Sequence, residues 1–102
     1  MQGNGPNNGE PVDWQVALAG TDAVAVDTLT THLMGFDPAR IGYLTYCRQL
    51  GLGEGDRQKM QIRGGLTPEE VRRPFRPHPN FERQSHWQIE DAARWLGLAQ
   101  AK

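Results

Sequence analysis

The sequence predicts a helix-rich α/β or α+β domain with a small, partly parallel sheet, and three observations carry that prediction. Trp14, Val16 and Leu18 alternate with Gln15, Ala17 and Ala19, a period of two with small residues on the second face, which suits a strand covered on both sides. After Gly20, the residues Val26, Leu29 and Leu33 recur at helical spacing, and Ala25 and Met34 widen the stripe. Farther on, Met60 and Ile62 mark 59–63 as a second short strand. A strand, a helical crossover of about 40 residues and another strand is the pattern of a parallel pair.

In chain order, residues 1–11 contain Gly3, Gly5, Pro6, Gly9 and Pro11 with three asparagines, a turn-rich composition read as a flexible terminus or loop. Thr21 or Asp22 supplies the oxygen that caps the first helix, and Gly35 ends it. Asp37-Pro38 restarts the chain as N-cap and first helical residue. Ile41, Leu44 and either Cys47 or Arg48 carry that second helix to Leu50, where Gly51 closes it. Thr67-Pro68-Glu69-Glu70 is a capping box for a helix that Pro74 keeps short. Three prolines make 74–85 irregular, and Ser85-His86-Trp87-Gln88 has the spacing to start a last helix through Ile89, Ala92, Ala93 and Leu96 to Gly97. The units are therefore a Gly/Asn/Pro-rich loop at 1–11, an α/β region at 12–76, and a Pro-rich linker with a C-terminal helix at 77–102, packed on the same domain.

Two strands alone do not make an independently stable sheet. Either the helices carry the core, or further strands come from an upstream region of the same protein or from a self-associated copy.

Composition narrows the function classes. A chain of 102 residues with a net charge of −1 is at most one domain and attracts no strongly charged partner as a whole. Five acidic residues and no Lys or Arg precede Ala39, whereas seven basic residues fall between Arg57 and Arg83, a mild polarity that acidic residues in the second half partly offset. Cys47 is the one cysteine, so no iron–sulfur cluster or disulfide is built within the chain, and a cytoplasmic setting is expected. No apolar run approaches the roughly 18 residues that span a bilayer, so no membrane partner is expected.

The best site candidate is the strand–turn–helix at Gly20, Thr21 and Asp22. A helix start behind a glycine turn offers free N–H groups to an anion, but Asp22 there would repel one. Structural capping is favoured over cation or hydroxyl binding, and both over phosphate. Asp27 lies five residues after Asp22, off its face of the helix; it is an exposed helical acid or, with Asp22, half of a divalent-metal site in a small enzyme-like domain. Gly3, Asn4 and Gly5 form a second candidate, a loop whose main chain could approach a ligand. His32 as a metal ligand needs a second strong ligand that the local sequence does not supply, and Cys47 reads as a small buried side chain. Arg72, Arg73, Arg76, Phe75, Phe81 and Trp87 interleave base and aromatic, which can grip an acidic partner; packing of the aromatics with solvated arginines is favoured, and nucleic acid is not the expected partner.

Gly3-Asn4-Gly5-Pro6, Gly9-Glu10-Pro11, Leu18-Ala19-Gly20-Thr21-Asp22, Val24-Ala25-Val26-Asp27, Met34-Gly35-Phe36-Asp37-Pro38, the stretch 41–44 and Gly51-Leu52-Gly53 together resemble the C-terminal part of the domain of unknown function 362 family, over about residues 3–76. The resemblance implies that the chain corresponds to the end of a larger α/β domain. Some members carry ferredoxin-like iron–sulfur modules, which implies redox surroundings, but nothing of such a module stands in this sequence. The family supplies no activity or cofactor to carry over. The expected function is a non-catalytic or incomplete piece of a larger, redox-associated α/β protein of unknown function, with the 3–6 loop and the 20–27 turn at one site; the metal-dependent domain and the Arg/aromatic binding module at 72–87 are the alternatives.

Overall fold

The first ordered element is a hairpin, where the sequence reads a loop. A computed structural model describes residues 1–97, and in it β1 (Gln2–Asn4) pairs antiparallel with β2 (Asn8–Glu10), Gln2 opposite Glu10 and Asn4 opposite Asn8. Gly5, Pro6 and Asn7 make the turn, and the Gln2 amide donates to the Glu10 carboxylate at 2.8 Å. The turn-forming composition thus folds the terminus back on itself.

Among the described residues this is the only sheet, so the architecture is α+β and the expected parallel pair is not formed. Residues 14–19 keep their period of two, with Trp14, Val16 and Leu18 half-buried and Gln15, Ala17 and Ala19 exposed, but they pair with no strand. Residues 59–63 do not form the second strand either. Asp56 accepts a hydrogen bond from the Gln58 amide at 3.0 Å and winds Arg57–Lys59 into a 3-10 turn, after which the chain runs on unpaired.

The helices follow the predicted signals more closely. Helix α1 (Ala23–Leu33) has Asp22 as its N-cap. It ends where Gly35, at φ +88°, lets its own amide reach the His32 carbonyl and the Phe36 amide reach that of Thr31, a closure that needs the left-handed conformation. The second helix is split. Asp37 caps a 3-10 turn at Pro38–Arg40, Ile41 is extended, and α2 (Gly42–Gln49) begins anew. The break sits beneath Trp87, whose ring lies where a side chain on residue 42 would point and whose indole N–H donates to the Arg40 carbonyl at 2.8 Å. Helix α3 (Pro68–Val71) is short, with the capping box of Thr67 and Glu70 in place.

Ser85 does not start the last helix. It ends α4 (Phe81–Gln84), and its buried hydroxyl donates to the Phe81 carbonyl at 2.8 Å and accepts from the Arg40 guanidinium at 3.1 Å, so it is committed inward. Helix α5 (Ala92–Trp95) follows, and the stretch ends at Gly97; positions 98–102 of the expected C-terminal unit lie outside the described residues.

The core sits where α1, α2 and the segment around Phe75 meet. Val24, Leu33, Leu44 and Phe75 are its buried apolar residues, with Thr28 buried among the polar ones. Residues 73–75 run beside the end of α1, where the Arg73 and Phe75 amides donate to the Leu33 and Met34 carbonyls at 2.8 Å each. Trp14 closes this end: its indole N–H donates to the Val71 carbonyl at 2.7 Å and its ring meets Phe75 edge-on at 5.0 Å. Trp14→Phe keeps the ring contact and removes the hydrogen bond, so urea unfolding at neutral pH is expected to show a loss of about 1 kcal/mol, and Trp14→Ala a loss of about 3 kcal/mol or more.

Candidate functional site

The turn that leads into α1 is built from Gly20, Thr21 and Asp22. The Asp22 carboxylate has both oxygens engaged: one accepts from the Ala25 amide at 3.0 Å and the other from the Glu54 amide at 2.9 Å. The Glu54 amide, and then that of Ala25, hold its carboxyl below the ordinary range because both favour the ionised form. Asp22 is therefore a clamp between the start of α1 and the 50s loop, which is the capping role favoured by sequence. Gly53 packs against it so closely that a methyl group there would collide with the Asp22 carboxylate and with Val24.

Asp27 points elsewhere. It is exposed, and its carboxylate accepts from the Tyr43 hydroxyl at 3.0 Å. Partial burial, followed by this carboxylate, raises the Tyr43 hydroxyl above its usual range. Asp22 and Asp27 thus serve separate partners, and among the described residues no three His, Cys, Asp or Glu side chains gather as a metal would require.

The glycine loop and the α1 turn are not brought together. Gly3, at φ +75°, donates its amide to the Arg76 carbonyl at 2.8 Å, and the Arg76 amide donates to the Gln2 side chain at 2.9 Å. Asn4 and Gly5 follow in the hairpin. This places the hairpin beside 73–76, at the C-terminal end of α1, whereas Asp22 stands at the N-terminal end about 16 Å away along the helix. The single site expected from Gly3 to Pro6 and Gly20 to Asp27 is two separate places.

In the basic and aromatic segment the aromatics pack onto the domain and the arginines tie distant stretches together. Arg72 and Arg73 donate to the His32 and Asp13 carbonyls, Arg76 pairs with Glu10 at 3.2 Å, Phe75 is buried, Phe81 packs on Phe36, and Trp87 meets Tyr46 edge-on at 5.1 Å. The arginines act as staples between distant stretches while staying exposed to solvent. His32 lies with its Nε2 buried and, among the described residues, without a hydrogen-bond partner, 3.5 Å from the Glu69 carboxylate of α3. Cys47 is a half-buried free thiol, less enclosed than its neighbours suggest.

No family model, curated protein or solved structure matches the chain. What the fold itself offers is a groove of about 660 Å³ that sequence reasoning did not find. Its floor is the apolar side of α1, with Val26, Leu29 and Leu33, and its walls are the 15–22 run and the 59–66 run. Two of the residues read as strand cores, Val16 and Ile62, line it. The one sequence signal for it was the shortage of strands to cover an apolar helix face.

Two measurements check the clamp. Gly53→Ala is expected to cost about 2 kcal/mol in urea unfolding, because the methyl displaces both Asp22 and Val24. The depressed Asp22 carboxyl gives stability that is complete above the ordinary carboxylate range and lost as the pH falls from that range through its lower folded value. Acid titration of unfolding free energy is expected to show this fall, and Asp22→Ala to flatten it.

Proposed function

We propose that this chain is a structural, non-catalytic piece of a larger α/β protein, whose sheet is completed by polypeptide outside the chain. The observation that carries the reading is an excess of surface. The chain exposes 7777 Å², against roughly 5,800 Å² for a closed monomer of its mass. Its radius of gyration of 15.2 Å likewise exceeds the roughly 13 Å of a compact domain of this length. Four buried apolar residues among the described ones are a small core, and Ile62, Leu66, Ile89 and Trp95 stand 43 to 81 % exposed.

The resemblance to the end of the domain of unknown function 362 family fits the same reading, including a sheet that becomes partly parallel once complete, and it brings the redox association with it. A single cysteine fits a cytoplasmic setting. Among the described residues no helix is long and apolar enough to cross a membrane. The separate engagements of Asp22 and Asp27 give the metal-dependent alternative no support, and the stapled arginines give none to the binding module.

Sedimentation equilibrium with dye binding tests the proposal. The isolated chain is expected to bind 1-anilinonaphthalene-8-sulfonate and to associate as its concentration rises, because its uncovered apolar surface seeks a partner. A monomer at every concentration that binds no dye and unfolds in one sharp transition would overturn it.

A further inference from the structure

Two stretches of main chain border the groove without a partner. Residues 16–20, which follow Gln15 at φ +55°, and residues 61–63 run with neither turn nor bend, and among the described residues no backbone hydrogen bond reaches their amides or carbonyls. Such groups must find partners once water is displaced. Between them lies the apolar side of α1, with Val26 and Leu29 half-buried. Lys59 and Arg63 line the same groove and have no ion-pair partner among the described residues.

We propose that this groove receives one extended polypeptide segment from outside the chain, a β-strand with apolar side chains toward α1 and an acidic side chain beside Lys59 and Arg63. The inference rests on the reading of the chain as an incomplete α/β unit and names what completes it. A strand satisfies main-chain groups on both walls while its alternate side chains cover the floor. A small apolar molecule would cover the floor and leave the walls desolvated and unpaired. The surface excess of about 2,000 Å² over a closed monomer is more than one partner's share, about 800 Å², of a standard interface. A second copy is poorly placed to supply the strand. Its 14–20 run is held at both ends by the Trp14 bond to Val71 and the Asp22 clamp, and its hairpin is bonded to Arg76.

The test uses the whole chain, isotopically labelled, with a synthetic peptide of alternating valine and threonine carrying one outward glutamate. Binding is expected to slow amide exchange at least about tenfold at every second residue of 16–20 and of 61–63, the signature of a ladder. Arg63→Glu, at an exposed position, is expected to weaken the glutamate peptide about threefold, and a lysine version of the peptide to recover the loss. Failure to bind at millimolar peptide overturns the inference. So does binding that perturbs Val26 and Leu29 with no change in exchange on the walls, since that marks a pocket for small apolar molecules. Protection of the same amides on raising the chain's own concentration, without peptide, also overturns it, in favour of a second copy. The dye and sedimentation results stand apart from these outcomes: association through another surface leaves both readings standing, and if the chain associates as expected while the peptide fails to bind, the strand site fails and the incomplete-unit reading survives.

Discussion

The carboxylate of Asp22 is the point on which the arrangement of the first half depends. One oxygen caps α1 and the other holds the amide of Glu54, so a single side chain fixes where the helix begins and where the loop after α2 passes. The requirement is steric as well as electrostatic, because only a residue without a side chain at position 53 leaves room for that carboxylate and for Val24. With this end fixed, the other end of α1 is set by the hydrogen bonds from Arg73 and Phe75 to Leu33 and Met34 and by the Trp14 ring on Phe75. The helix is thereby held at both ends while one flank stays open to the groove.

That open flank gives the molecule its character. A helix whose apolar stripe is half-covered, bordered by main chain with no ladder, resembles one layer of a two-layer structure. Burial of Val24, Leu33, Leu44 and Phe75 is enough to organise α1, α2 and the crossing segment, but hydrophobic stabilisation scales with apolar area removed from water. Ile62 and Leu66 contribute little of it while they remain exposed.

The charged and aromatic residues of the second half show how a composition that suggests binding can be spent on architecture. Arg40 joins Glu82 and Ser85 and lies over the Phe81 ring at 4.9 Å. The Glu82 carboxyl is held below its ordinary range, first by the hydrogen bond from Arg40 and then by its charge. These are long-range ties between segments with little regular structure, and they stand in for the packing that longer helices would supply. Arginine suits the task because its planar, multidentate group reaches carbonyls and carboxylates at the rim of a small core.

Local signals determined local structure. Asp22 as cap, Gly35 and Gly51 as stops, Asp37-Pro38 as a restart and Thr67 with Glu70 as a capping box were all legible, because each is an interaction within a few residues along the chain. The alternation of Trp14, Val16 and Leu18 was legible too, and it survives as inward and outward faces. Whether that run pairs with another strand depends on groups distant in sequence, and the partner read into 59–63 is drawn away by the Asp56 cap on Gln58. Tertiary structure alone decided that the glycine loop closes into a hairpin on Arg76, that Ser85 turns inward to Phe81 and Arg40, and that Asp22 and Asp27 go to Glu54 and Tyr43. Each of those choices is a competition among partners that only the folded arrangement brings within reach.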